Sequence, residues 1–175
     1  MKKPDYVRKR CPAAVFGVLL IFLLNAPETA SAETGVGMQA GGWFSSSPYF
    51  GPALCLSFTR RIHILLEYGI DMVVPYNRRF GICGDYWWLR PQVGDFGTEG
   101  GRVYLFFGAG LFIDYAAAKD WSGVLSGGLR FPFGVDYEIK RMDFFLQAAP
   151  ALTVASTSKG DWFVFYTSFG FRWWF

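Results

Sequence analysis

The sequence has little of what soluble enzymes and binding domains are built from. Its 175 residues contain one histidine and three cysteines, too few and too scattered to compose a zinc site. Beyond residue 32 there is no stretch of eighteen uninterrupted apolar residues, which excludes a helical membrane span there. Lysine and glutamate are scarce, whereas 20% of the chain is aromatic and 21 residues are glycine; that is unlike an ordinary water-facing surface. An excess of one charge is missing too. The net charge is +3, but residues 1–32 hold five basic and two acidic side chains, leaving twelve of each sign in the remainder. A neutral remainder gives no electrostatic footprint for nucleic acid. No cofactor motif is present: the glycines of 94–101 lack the strand–loop–helix context of a phosphate-binding loop and read as a flexible turn.

What is present begins with an export pattern. Lys2, Lys3, Arg8, Lys9 and Arg10 precede an apolar run over 13–24, and Ala30-Ser31-Ala32 follows with small-x-small spacing. This order reads as a secretory signal peptide cut after Ala32. Twelve apolar residues span only about 18 Å as a helix, short of a hydrocarbon core of about 30 Å. The mature chain then runs from Glu33 to Phe175 as one domain. It retains Cys55 and Cys83, which allow at most one bridge. Cys55 is expected to face inward and Cys83 to lie in a connection.

The mature chain is dominated by period two. Phe163, Phe165, Thr167, Phe169, Phe171, Trp173 and Phe175 alternate with Val164, Tyr166, Ser168, Gly170, Arg172 and Trp174. One face is nearly all aromatic and the other mixes small, ionic and aromatic residues, as on a strand between two unlike environments. The same test marks strands over 62–72, 103–115, 125–137 and, more weakly, 142–154. Further strands are placed at 35–44, 50–59 and 84–93, the last blurred by Pro91. Short turns at 60–61 and 138–141 and longer connections at 75–83 and 116–122 predict an eight-stranded antiparallel up-and-down barrel with its termini on the short-turn side. A soluble lipocalin-like barrel would need Lys and Glu outside. The greasy face instead covers about 12 residues, roughly 30 Å at ~3.3 Å rise and ~40° tilt, a bilayer's height. An open edge in lipid would leave backbone groups unpaired, so the sheet must close.

Parity places Glu67, Asp71, Asp114 and Asp136 inside with Arg90, Arg130 and Arg172. An eight-stranded lumen is just wide enough for side chains, and unpaired buried ions are costly, so these seven predict an interlocked charge network. The alternative is a narrow ion path or a gate made by switching partners. Lumenal glycines make room for Tyr104, Phe106, Phe112, Tyr166 and Trp174, which favours a filled interior. Tyr49, Tyr76, Trp87, Trp121 and Trp162 suit interfacial girdles. Arg78 and Arg79 are assigned to an exposed connection, where lipopolysaccharide phosphate is one candidate contact.

On these residues the chain resembles the small eight-stranded outer-membrane barrels, such as the OmpA membrane domain, OmpX and OmpW. The ending Phe169, Phe171, Trp173, Phe175 resembles that family's signal to the barrel-assembly machinery. The resemblance implies that machinery and periplasmic chaperones as partners; outer-membrane lipid and lipopolysaccharide are the expected surroundings, and a monomer is favoured although the sequence does not give the oligomeric state. Some such barrels modify lipid A with a histidine and a serine or acidic partner. Here His63 has Leu65 next on its face and Glu67 about 13 Å away along the strand, so no enzyme is expected. The function read is structural, surface-interacting or envelope-maintaining; the alternatives are a small lipid-modifying enzyme and a narrow hydrophobic-solute channel.

Overall fold

A computed structural model describes residues 33–118, 123–157 and 161–175, with the backbone alone for 98–99. The signal-peptide reading of 1–32 and the loop residues Lys119, Asp120, Trp121 and Lys159 lie outside the described residues. Ten strand segments follow one another: β1 (Gly35–Phe44), β2 (Tyr49–Ser57), β3 (Ile62–Asp71), β4 (Arg78–Leu89), β5 (Gln92–Asp95), β6 (Arg102–Ala117), β7 (Gly123–Arg130), β8 (Phe133–Ile139), β9 (Met142–Ser156) and β10 (Phe163–Trp174). A single helical turn, α1 (Gly97–Gly100), links β5 to β6.

The ten segments make eight staves. Both β4 and β5 pair with β6, interrupted at Arg90-Pro91, and both β7 and β8 pair with β6 and β9, interrupted at Phe131-Pro132. Proline has no ladder N–H to donate, so each break sits where the sequence removes a donor. All pairings are antiparallel, and β10 pairs with β1 from Gly35↔Trp174 to Phe44↔Phe165, closing the sheet on itself. The termini share one end with the turns at 58–61, 96–101 and 140–141. At the opposite end, Ser46 donates from both its N–H (2.9 Å) and its Oγ (2.7 Å) to Asp161 and so clasps the first loop to the last.

The period-two pattern is realised as two faces. Val36, Met38, Phe50, Leu54, Phe80, Ile82, Leu105, Ile113, Leu146, Phe169 and Phe171 point outward and are exposed, while Trp43, Leu65, Phe106, Phe112, Tyr166 and Trp174 are buried inside. Glycine makes this interior possible at particular places. A Cβ at Gly134 would stand 2.8 Å from the ring of Phe106, and one at Gly110 would overlap the carboxylate of Asp85.

The structure corrects four placements. The fourth stave begins at Arg78, six residues before the expected start, because the Arg78-Arg79 pair is strand and not loop. Cys83 is therefore not in a connection but on the lumenal face, opposite Leu65, which in turn stands opposite Cys55. Two strand spacings of ~4.8 Å separate the cysteines, beyond the ~7 Å that a disulfide spans, and both are free thiols. Tyr49 and Trp87 are buried inside the barrel, so they are not girdle residues, whereas Tyr76 and Trp162 are exposed at the loop end. The segment 94–101 is strand and helical turn, not a flexible link.

Candidate functional site

The lumen carries the chemistry, in layers stacked along the barrel. Nearest the loops, Asp71 accepts from the N–H groups of Val73 (2.8 Å) and Val74 (3.0 Å) and from Asn77 Nδ2 (3.1 Å). It thus shapes a turn and stands apart from the ion pairs. Beneath it Arg79 lies 2.5 Å from Asp114, with its guanidinium 5.7–5.9 Å from the rings of Trp43, Tyr49 and Tyr166. That spacing is within cation–π range.

The next layer is centred on Arg130. Its Nε is 3.2 Å from Asp85 and its Nη1 3.6 Å from Glu67. Glu67 also accepts from Trp43 Nε1 (3.3 Å) and Cys83 Sγ (3.2 Å). The gap beside Glu67 and Arg130, bounded by Gln39, Trp43, Tyr166 and Ser168, measures about 10 Å³, room for a single water.

Below that, Arg172 lies 3.4 Å from Asp136 and 3.6 Å from Asp143. It is held between the rings of Trp87 (4.6 Å) and Phe145 (4.5 Å), and Trp87 is itself stacked on Phe106 at 3.7 Å. At the terminus end, Arg90 pairs with Asp136 (2.6 Å) and Glu138 (3.1 Å) and lies 3.9 Å over Tyr104. Arg60 reaches in from the β2–β3 turn to Glu33 (2.7 Å), Glu138 (2.6 Å) and Asp143 (3.7 Å). Its guanidinium lies over Trp174, which walls off the mouth. A recess of about 410 Å³ among Asp95, Gly97, Gly101, Arg102, Glu138 and Lys140 opens at this end.

All seven residues expected inside are on the lumenal face, but they do not form one network. Glu67 meets Arg130, and Asp136 meets Arg90 and Arg172, while Asp114 meets Arg79, which the sequence reading had placed in an exposed connection. Asp85, Asp143, Glu138 and Arg60 complete the layers and were not foreseen. Phe169, Phe171, Trp173 and Phe175 face outward and are exposed.

His63 has a partner after all. Register sets Ser57 of β2 directly across from it, and Ser57 Oγ lies 2.8 Å from His63 Nδ1. Asp85 stands across from His63 on the other side, so the row holds the residue types of a hydrolytic triad. The geometry is different, however. Arg172 Nη1 lies 2.9 Å from Nδ1 and 3.3 Å from Nε2, so a cation stands against both ring nitrogens where a triad would place its acid. Ser57 and His63 are both buried, sealed under Trp87 and Arg172.

No protein-family model matches the chain, and no curated protein matches it in sequence. Among solved structures, Neisserial surface protein A is similar over 85% of this chain and 100% of its own, at 16% identity and a TM-score of 0.57. The N-terminal β-barrel domain of Pseudomonas aeruginosa OprF matches at 15% identity over 81% and 97% of the two chains, with a TM-score of 0.48. Ail of Yersinia pestis matches at 9% identity over 83% and 99%, with a TM-score of 0.44. The likeness to Neisserial surface protein A is one of fold: the chain has the architecture of the small eight-stranded outer-membrane β-barrels.

Proposed function

We propose that the protein is an integral outer-membrane barrel, exported by way of residues 1–32, with a structural, surface-interacting or envelope-maintaining role and no catalytic activity. The carrying observation is the pairing of an apolar exterior with a lumen filled from end to end by ion pairs and rings. A side-chain-filled interior supports a closed body over a channel, since the space left beside Glu67 and Arg130 is that of one water. The enclosure of Ser57 and His63 supports the non-catalytic reading, because a lipid substrate would have no approach to either. The outward aromatic row Phe169, Phe171, Trp173, Phe175 supports recognition by the barrel-assembly machinery, with periplasmic chaperones escorting the exported chain. Lipopolysaccharide is the surrounding lipid of the loop end, and a monomer suffices because the sheet closes on itself.

The test is a planar-bilayer recording of the purified, folded protein. Silent membranes are expected; steady unitary conductance would overturn the closed-body reading. Fractionation tests location: the protein is expected with the outer membrane and with a heat-modifiable gel shift, and a soluble, unshifted protein would refute it. Deleting Phe175 is expected to slow assembly in cells with no loss of stability once folded.

A further inference from the structure

The turn between β3 and β4 differs from an ordinary aqueous loop in two independent ways. The first is composition. Between Asp71 and Arg78 it reads Met72-Val73-Val74-Pro75-Tyr76-Asn77, with no charged residue, and Met72, Val73 and Tyr76 are 67%, 72% and 67% exposed. By contrast the β1–β2 turn at the same end is Ser45-Ser46-Ser47-Pro48. Rigid, contiguous apolar side chains left in the open mark a contact surface.

The second is the state of its backbone. Met72 N–H donates to Pro48 O at 2.8 Å, Asn77 N–H to Val74 O at 2.9 Å, and Asp71 N–H to Asn77 O at 3.3 Å. The N–H groups of Val73 and Val74 are taken up by the Asp71 carboxylate, which is turned inward to reach them, and Pro75 has none to offer. On the acceptor side, the Arg78 guanidinium folds back onto the carbonyls of Pro75 and Asn77. These contacts leave fewer of the turn's peptide groups dependent on solvent, which lowers the cost of placing it in lipid.

The occupant follows from continuity. Directly below the turn, on the same outward face, lie Ile70, Tyr68, Phe80 and Ile82, with the rings of Tyr68 and Phe80 5.2 Å apart. This is the apolar outward face, and along β3 Met72 continues the row after Ile70; on β4 Arg78 stands beside Ile70 on the same face, with its guanidinium drawn up onto the turn. Strand β3 alone supplies ten residues, roughly 25 Å of height at ~3.3 Å per residue and ~40° tilt. The row from Ile62 to Met72 therefore reaches about the full height of a lipid-facing belt, and Val73 and Val74 stand at its upper edge.

We infer that the β3–β4 turn is a lipid-immersed anchor: Met72, Val73 and Val74 insert among the acyl chains and headgroup boundary of the leaflet at the loop end. Arg78, drawn up onto the turn carbonyls, keeps its charge at the rim, as long cationic side chains do near a membrane surface. The barrel then sits deeper on the β3–β4 side than at the serine turn between β1 and β2.

This rests on the membrane reading, so the test carries a control for it. Single cysteines replace Val73, Ile82 and Ser46 in turn and are spin-labelled in the folded protein, where Cys55 and Cys83 are sealed in the lumen. The proteins are placed in phosphatidylcholine–phosphatidylglycerol vesicles, and relaxation by oxygen is set against relaxation by a water-soluble nickel chelate. Oxygen is expected to dominate at Val73→Cys and Ile82→Cys, and nickel at Ser46→Cys, with the two classes differing severalfold. Nickel dominance at Val73→Cys beside oxygen dominance at Ile82→Cys overturns the anchor and leaves the barrel in the membrane. Nickel dominance at both overturns the membrane reading itself. A Val73→Cys label shielded from both reagents in native envelopes, yet nickel-accessible in vesicles, overturns the anchor in favour of a protein partner.

Discussion

The Arg130 layer and the Arg172 layer occupy the same lumen under the same constraint, yet they are held differently. Around Arg172, each neighbour is shared: Asp136 is bound by both Arg90 and Arg172, Asp143 by both Arg60 and Arg172, and the guanidinium lies between two rings. Around Arg130, Glu67 is satisfied with help from Trp43 and Cys83, while Asp85 meets a single guanidinium nitrogen at 3.2 Å. Arg79 and Arg130 together face three carboxylates, Glu67, Asp85 and Asp114. In the lower layer each carboxylate keeps a second arginine when one is lost; in the upper layer Asp85 depends, among the described residues, on Arg130 alone, and one carboxylate is in surplus.

The sharpest way to break this contrast is to remove each arginine. Arg130→Ala is expected to destabilise by about 3–5 kcal/mol, because Asp85 is left inside the lumen with no counterion. Arg172→Ala is expected to cost less, since Asp136 keeps Arg90 and Asp143 keeps Arg60. Urea unfolding in vesicles, followed by tryptophan fluorescence, measures both; the reverse ranking would refute the contrast.

Neutralising single carboxylates is the next test. Asp136→Asn is expected to cost about 3 kcal/mol by leaving two guanidiniums short of an anion, whereas Asp85→Asn should stay within about 1 kcal/mol of wild type in either direction. Matched losses in the same unfolding assay would mean that Asp85 is as tightly needed as Asp136. A steric perturbation follows. Gly110→Val pushes a side chain into the Asp85 carboxylate, with a cost of about 1–3 kcal/mol typical of overpacking. Combined with Asp85→Ala, only part of the loss should be recovered, because the Gly84 carbonyl stands against the same position.

The smallest effect lies outside the lumen. Burial raises the Asp161 carboxyl, but the donations from Ser46 outweigh it and hold the group below its ordinary range. A depressed carboxyl contributes stability above its unfolded value, near pH 4, and loses it as pH falls through the folded value. Protection of the loop clasp from proteolysis should therefore persist to about pH 4 and fade below it. Ser46→Ala should weaken that pH dependence, since the Ser46 N–H still donates to Asp161.

How much of this was legible in the sequence depends on where the partner sits. Alternation is a property of one strand, so the exterior from Phe163 to Phe175 and the inward set Glu67, Asp71, Asp114, Arg130, Asp136 and Arg172 could be read directly. Pairing belongs to register between strands, which no local pattern fixes. Hence the Arg79–Asp114 contact, 35 residues apart, was out of reach, and so was Ser57 as the neighbour of His63. The fourth stave was misplaced for a different reason. Consecutive arginines look like solvated loop charge, yet parity sends Arg78 outward and Arg79 into the lumen, and Phe80, Ile82 and Tyr86 continue the outward row behind them. Trp87 was taken for a girdle residue because aromatics serve equally at a lipid surface and as a wall against a cation.

The pairing of the first strand with the last governs how the molecule can come into being. Strand β1 leads the barrel, yet one of its two neighbours is β10, the last strand, so no partial chain can satisfy it. Contacts between sequence extremes are slow to form, and until they do, two raw edges invite pairing with other chains. The nascent polypeptide therefore needs shelter until its C-terminus arrives, and a frameshift that spared β1 to β9 but lost β10 would yield not a smaller barrel but an unclosed sheet.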